Sequence, residues 1–266
     1  MFGPWLEDLD LVRDSFENAY PYKHVVIDHF FKEDIARDLL NDIPVSTEDF
    51  EFTYDNPLEK KSVVGDLTRV PAVKRVFSEL EKRVGLFEGL SGIKGLEYDL
   101  NVHGAGVHRF EKGGKLDLHL DYSKHPVTGK ERRLNLIVFL SPEWDAEWGG
   151  CLELWNSSCT ARIKTVAPKF NRAVLFATGN TSWHGVPHPV NCPEDKTRDS
   201  IACYFVSDPT PKMNSQRQKA YFVPHPTQQI PPRLLKVYRT RGTRRLAPDD
   251  LWDGWQIDPA GRGFWN

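Results

Sequence analysis

Two histidines and an aspartate are the residues of this chain whose types and spacing could do chemistry. In the stretch Leu116-Asp117-Leu118-His119-Leu120-Asp121-Tyr122 a strand would place Leu116, Leu118 and Leu120 on one face and Asp117, His119 and Asp121 on the other. An imidazole and a carboxylate two residues apart on one face can hold the same divalent ion. Two ligands make a weak site, and the candidate for a third is His184 in Thr181-Ser182-Trp183-His184-Gly185. Two histidines and one carboxylate leave half an octahedron open, the donor set of non-heme Fe(II) oxygenase centres. A His-X-Asp triplet alone arises often by chance, as an exposed pair on a sheet surface, so the weight rests on the third segment.

Further along comes Arg198-Asp199-Ser200, followed by the apolar run Ile201-Ala202-Cys203-Tyr204-Phe205-Val206. Alternation puts Arg198 and Ser200 on one face, away from Ile201, Cys203 and Phe205. A guanidinium inside a barrel is costly to bury unpaired. It becomes reasonable if a ligand carboxylate enters, because Arg grips carboxylates as a bidentate fork.

The elements that must position these groups are short strands separated by Gly, Pro, Asn and Asp. Strands are expected at 116–122, 133–140, 151–155, 161–166, 172–177, 183–186 and 200–206, a spacing that suggests an antiparallel sandwich or barrel. Upstream, His24 to Phe30 reads as a strand and 48–66 as a loop. Two amphipathic helices are expected to pack against the sheet. One runs over 32–41 and stops at Pro44; the other starts at Pro71 and stops near Gly85. A short helical turn around Leu86 to Leu90 follows.

The chain has 266 residues, enough for one large domain with a full core. A net charge of -2 does not predict binding to nucleic acid or to an anionic membrane by the molecule as a whole. The longest apolar run, Leu136 to Leu140, is far short of the ~20 residues of a membrane span. The first residues lack the basic-then-apolar pattern of a secretory signal. Cys151, Cys159, Cys192 and Cys203 form no CxxC pair, so free thiols in a reducing, cytoplasmic compartment are expected. The division expected is a domain over 1–208, with its core at about 95–208, and a Pro-rich basic extension over 209–266. The extension holds ten basic and four acidic residues, a net of +6. That charge leaves an acidic partner or nucleic acid open for this segment alone, while Trp252, Trp255, Phe264 and Trp265 suggest that it packs back on the domain.

Taken in order, His119-Leu120-Asp121, His184 and Arg198-Asp199-Ser200 resemble the 2-oxoglutarate and Fe(II)-dependent dioxygenase superfamily, in its prolyl-4-hydroxylase-like branch. Gly113-Gly114-Lys115-Leu116, Arg132-Arg133-Leu134-Asn135-Leu136 and Trp148-Gly149-Gly150-Cys151-Leu152-Glu153-Leu154-Trp155 carry the same resemblance, which runs from about Tyr20 to Val206. It implies a mainly β fold, a double-stranded β-helix (jelly-roll, cupin-like) core with flanking helices. It implies that His119, Asp121 and His184 bind iron. Arg198 would hold the distal carboxylate of 2-oxoglutarate with help from Ser200, and Asn135 is a candidate for the same cosubstrate. The activity implied is hydroxylation of an unactivated C–H bond with O2, releasing succinate and CO2, with ascorbate as a candidate reductant. The substrate would be a small molecule, a peptide or a protein. Asn180, Trp183 and His108 are candidates for the pocket, whereas His103, His125 and His188 are expected to be structural or surface residues. Collagen-type prolyl hydroxylases carry tyrosines where this chain has Phe110 and Leu116, and lysine in place of Arg198, so the resemblance is nearer to bacterial-type and ribosomal-protein-type members. Asp121 argues against the halogenase variant, which lacks that carboxylate. The alternatives are a cupin-like metal enzyme that does not use 2-oxoglutarate, and a non-catalytic binding module on the same fold.

Overall fold

The computed structural model describes residues 1–212, 219–244 and 246–251. Helices α1 (Leu9–Glu17), α2 (Glu33–Asp42), α3 (Pro71–Glu81) and α4 (Val84–Ser91) precede most of the sheet, and α5 (Pro232–Thr243) follows it. The strands are β1 (His24–Ile27), β2 (Phe52–Asn56), β3 (Glu59–Val64), β4 (Glu97–Tyr98), β5 (Gly106–Phe110), β6 (Lys115–Leu120) and β7 (Glu131–Phe139). They continue as β8 (Leu152–Trp155), β9 (Arg162–Val166), β10 (Ala173–Ala177), β11 (His184–Val186), β12 (Arg198–Ser207) and β13 (Tyr221–Phe222).

Hydrogen bonding links them in the order β1-β10-β7-β12-β5-β3-β6-β11-β8-β9. Strand β3 joins the two halves. Its Ser62, Val63 and Val64 pair with Arg109, His108 and Val107 of β5, while Glu59 and Lys60 pair with Leu116 and Lys115 of β6. Antiparallel throughout these pairings, the sheet curls into a nearly closed jelly-roll. The halves have two faces because the side-chain period of a strand is 2. In β12, Ile201, Cys203 and Phe205 enter the main core with Leu134, Leu136 and Val138 of β7. That core is covered by Phe16 of α1, Leu39 of α2, Phe77 and Leu80 of α3, and Phe87 and Leu90 of α4. Alternate residues of β12, Arg198, Ser200, Ala202 and Tyr204, line the barrel cavity.

The seven strands expected between 116 and 206 are all present, within two or three residues at each end. Differences fall where periodicity was masked. The stretch 48–66 is not a loop but holds the hairpin β2–β3, whose alternation is hidden by Lys60, Lys61 and the Asn56-Pro57-Leu58 turn. The first residues form α1, with Phe16 buried and Leu9 and Val12 packed against the core. The helix from Pro71 ends at Glu81, and Val84 and Gly85 begin α4, which stops at Gly92 in the left-handed conformation with φ 70°. Prolines beyond 208 do not exclude regular structure, because Pro232 occupies the first turn of α5, where its missing N–H costs no hydrogen bond. Trp252, Trp255, Phe264 and Trp265 lie outside the described residues. No helix among the described residues is long and apolar enough to cross a membrane.

Beside the cavity-facing Arg198, the carboxylate of Asp199 points the other way and receives Nε and Nη2 of Arg109, each at 2.8 Å. Both side chains are buried. Arg109 also lies over the Phe50 ring and donates to the Val45 carbonyl. This fork ties β5 to β12 at the level of the site. Arg109→Ala leaves the Asp199 charge buried without its guanidinium, and chemical denaturation should show a loss of about 3–5 kcal/mol. A loss below about 1 kcal/mol, as for a solvent-exposed pair, would show that the fork does not hold the strands.

Candidate metal centre

His119 and His184 are paired across β6 and β11 in the ladder. The register slips there: Val186 pairs with Leu116, so Asp117 and Leu118 of β6 lie opposite Gly185 alone. An extra residue reverses the side-chain phase, as at any β-bulge. Leu116 therefore lines the cavity together with His119 and Asp121, whereas Asp117 does not. Strict alternation from the sequence had grouped Leu116 with Leu118 and Leu120. Asp117 instead accepts from Lys115 Nζ at 2.9 Å and from the Tyr238 hydroxyl at 2.5 Å. Burial pushes the Asp117 carboxyl up, against the pull of Lys115. The close approach of β11 to the bulge requires Gly185, since a Cβ there would meet the Leu116 carbonyl oxygen at 2.8 Å.

His119, Asp121 and His184 are all buried, and their donor atoms lie within 4.8 Å of one another. His119 Nε2 is 3.7 Å from Asp121 Oδ1, and His184 Nε2 is 3.8 Å from Asp121 Oδ2. Each ring is fixed from behind. His119 Nδ1 faces the Asp117 carbonyl at 2.9 Å, and His184 Nδ1 faces the Ser182 carbonyl at 2.8 Å. A carbonyl oxygen only accepts, so both Nδ1 atoms carry the proton and both Nε2 lone pairs point to a common spot. Burial holds the His184 imidazole down at about 4, with His119 adding to the effect, so it is neutral at pH 7 and free to act as a ligand. Burial opposes ionisation of Asp121, but His184, His119 and Arg132 outweigh it and keep the carboxyl well below the ordinary carboxylate range. Asn135 Nδ2 donates to Asp121 Oδ2 at 3.0 Å, and the Tyr204 hydroxyl donates to Oδ1 at 3.3 Å. Two Nε2 lone pairs converging on a charged carboxylate suit a divalent ion.

Arg198 stands in the same cavity, buried between the rings of Phe110 and Phe139, each 4.9 Å from its Cζ. Its Nε donates to the Gly150 carbonyl at 2.6 Å. Gly150 has φ 73°, and a Cβ there would press on Arg198 Cδ at 3.0 Å. Burial draws the guanidinium down to about 10, which leaves it charged. No described carboxylate lies within ion-pair reach of it. Ser200 and Asn135 line the same cavity, of about 690 Å3, and Asn135 Oδ1 has no partner among the described residues.

Of the other candidates, His108 lines the cavity; Trp183 does not, and packs outside the barrel with Leu118, Leu120 and Trp155. Asn180 is exposed and away from the cavity. His108 is held neutral, down at about 3, chiefly by burial and by Lys61 and Arg198, and its Nε2 has no described partner. His103 also lines the cavity, whereas His125 is buried 3.3 Å from Asp99 and His188 is exposed. Sequence reasoning missed Tyr204 and Phe222. The Phe222 ring stacks on His119, with centroids 5.0 Å apart and planes 20° apart, because β13 pairs with β6. Parity within β12 could have found Tyr204, two positions beyond Ala202, while nothing local in the sequence marks Phe222.

A second group, Glu153, His188 and His225, also brings possible ligand atoms together. Here Glu153 is already engaged by Trp155 Nε1 and Arg162 Nη1, each at 2.9 Å. His225 Nδ1 accepts the Thr227 backbone N–H, so in the neutral ring the proton sits on Nε2 and no lone pair is left there. The His225 ring packs edge-on against Trp155 and His188, with centroids 5.0 and 4.8 Å apart, and these contacts seat the segment after β13 against β8. Replacing Asn135 tests the first centre without removing a ligand. Asn135→Ala should weaken Mn(II) binding, read by the loss of the free-ion paramagnetic signal, by about 10–100-fold. Unchanged affinity would show that Asp121 needs no amide to orient it.

The barrel and its ligand triad have counterparts among known proteins. Residues 105–206 match the model of the 2OG-Fe(II) oxygenase superfamily. The prolyl 3-hydroxylase OGFOD1 of Xenopus laevis is 25% identical over 199 residues, covering 71% of this chain and 35% of that protein. The chain thus spans about a third of the length of that curated relative. Among solved structures, a Pseudomonas putida prolyl-4-hydroxylase aligns with a TM-score of 0.56 at 17% identity, covering 76% of this chain and 100% of that one. A Trichoplax adhaerens prolyl hydroxylase in complex with a hypoxia inducible factor peptide fragment aligns at 0.55 and 16%, covering 77% and 94%. At such identities the structures establish the shared fold, and the family model rests on the span that holds all three ligands and Arg198. The segment 105–206, which holds all three ligands and Arg198, is thus similar to the 2OG-Fe(II) oxygenase superfamily, and over a wider span the chain is similar to prolyl hydroxylases.

Proposed function

We propose that this chain is an Fe(II)- and 2-oxoglutarate-dependent dioxygenase that hydroxylates a peptidyl substrate, with a prolyl residue as its target. The observation that carries it is the pairing, in one cavity, of the His119–Asp121–His184 triad with a buried arginine that meets no carboxylate among the described residues. His119 and His184 would hold the iron through their Nε2 lone pairs, and Asp121 through its carboxylate. Together Fe(II), 2-oxoglutarate and O2 supply the oxidation of an unactivated C–H bond with release of succinate and CO2. Arg198 would receive the distal carboxylate of 2-oxoglutarate. Its Nε is spent on Gly150 and its plane is clamped by two phenyl rings, so the remaining N–H groups are oriented before any ligand arrives. Ser200, next on the same face of β12, would add its hydroxyl. Asn135 and Tyr204 keep Asp121 aimed at the ion and leave the imidazoles to their backbone carbonyls.

The prolyl target follows from the relative named for prolyl 3-hydroxylation and from the peptide held by one structural neighbour. Residues 1–208 would form the catalytic domain. The four free thiols suit a reducing, cytoplasmic setting. A cupin-like enzyme without 2-oxoglutarate would have no use for the aromatic clamp that presents Arg198.

Anaerobic titration of the Fe(II)-loaded chain with 2-oxoglutarate should develop a metal-to-ligand charge-transfer band. Arg198→Ala removes one partner of a buried charge pair, a loss of about 2–5 kcal/mol, so the 2-oxoglutarate Kd should rise about thirtyfold or more. Asp121→Ala should abolish succinate formation. Equal 2-oxoglutarate affinity in wild type and Arg198→Ala would remove the cosubstrate from this site.

A further inference from the structure

Four cationic side chains line the cavity: Lys61, Arg132, Arg198 and Arg241. Three have evident employment. Lys61 lies 3.5 Å from Glu59 and over the Tyr54 ring. Arg132 is sandwiched by Tyr204 and Tyr122 and donates to the His103 carbonyl. Arg198 belongs to the cosubstrate site just described. Arg241 is different. Its guanidinium sits over the Phe222 ring, 5.2 Å from the centroid, and its Nη1 is buried with no hydrogen-bond partner among the described residues.

Its placement is built rather than incidental. Arg241 lies in α5, which is pinned to the barrel by the Tyr238 hydroxyl on Asp117 and Gln228, and by Leu234 and Val237 packing with Leu58 and Phe222. Phe222 in turn stacks on His119. Guanidinium, phenyl ring and metal-ligand imidazole thus form one layered column on the wall of the cavity. A cation held on an aromatic face keeps its in-plane N–H groups free for an anion. Leaving a buried guanidinium N–H without an acceptor is costly, and an incoming anion removes that cost. A cavity of about 690 Å3 falls in the ~300–1,000 Å3 range of sites for drug-sized ligands. A five-carbon dicarboxylate fills only part of it and leaves room for a second ligand beside the column.

We propose that Arg241 determines substrate specificity by pairing with an anionic side chain, a carboxylate or a phosphorylated residue, next to the residue that is oxidised. The preferred substrate is then an acidic peptide. This rests on the peptidyl-substrate reading above. Arg241 touches neither iron nor 2-oxoglutarate in this assignment, and its contribution is to binding and register.

The full chain loaded with Mn(II) and 2-oxoglutarate, which blocks turnover, is titrated by fluorescence anisotropy with peptides of fixed length. Each has a central proline and Glu, phosphoserine, Gln or Lys at each flanking position in turn. The wild type should bind the best acidic peptide at least about tenfold more tightly than its Gln counterpart, the size expected of a strong charge-assisted contact. Comparison of the Glu and phosphoserine series tells which anion is read. In Arg241→Gln the preference should shrink to about twofold, and Arg241→Lys should restore part of it. Arg241→Glu should reverse it in favour of Lys peptides. Mn(II) and 2-oxoglutarate affinities should stay unchanged in all three variants. The proposal is overturned if the wild type shows no acidic preference or if Arg241→Gln retains it in full. Loss of 2-oxoglutarate binding in Arg241→Gln also overturns it, by assigning Arg241 to the cosubstrate. Failure of the wild type to bind 2-oxoglutarate at all would instead strike the enzymatic reading, and the acid preference of the peptides would still decide the role of Arg241.

Discussion

Two backbone carbonyls, those of Asp117 and Ser182, govern what the metal centre can bind. Each takes the Nδ1 proton of the histidine two residues on, and so each turns an Nε2 lone pair toward Asp121. The bulge in β6 turns Leu116 in and Asp117 out ahead of His119 and Asp121, while the intervening Leu120 stays outside. The arrangement requires Gly185, which lets β11 lie close against the bulge. The second His/Glu group has similar residue types and the opposite tautomer at His225. The composition of a cluster therefore matters less than which ring nitrogen is already bonded to the backbone.

Arginines in this barrel follow a common pattern. Arg198 is held by Phe110 and Phe139, Arg132 by Tyr204 and Tyr122, Arg109 by Phe50 and Arg241 by Phe222. Aromatic faces satisfy the flat sides of the guanidinium and leave its edge to form hydrogen bonds. The cavity can thus carry several positive charges with few of them paired to carboxylates. Asp121, oriented by Asn135 and Tyr204, keeps its oxygens turned toward the two histidines.

Much of the site was legible because strands obey a period of 2. Arg198 and Ser200 were placed inside, and Ile201, Cys203 and Phe205 in the core, from parity alone, and the structure agrees. His119, Asp121 and His184 could be grouped because few donor sets suit an oxidising metal. Parity failed at Leu116, where a bulge shifts the phase without any residue that announces it. The β2–β3 hairpin was hidden because Lys60 and Lys61 break the apolar alternation, although Lys61 bends over Tyr54 and lines the cavity. Phe222 and Arg241 were beyond reach for another reason. Their importance comes from a pairing between β13 and β6, about a hundred residues apart, that no local pattern encodes.

That pairing has a consequence for the order in which the protein matures. The three metal ligands and Arg198 are all translated by residue 198, and the last barrel strand ends at Ser207. The ring that covers His119, and the hydroxyl that meets Asp117, arrive only with Phe222 and Tyr238. During synthesis the ligand set is complete while one wall of its chamber has yet to leave the ribosome. Closure of the chamber waits for the segment that also carries Arg241. A nascent chain holds all three candidate ligands before it holds the wall that encloses them.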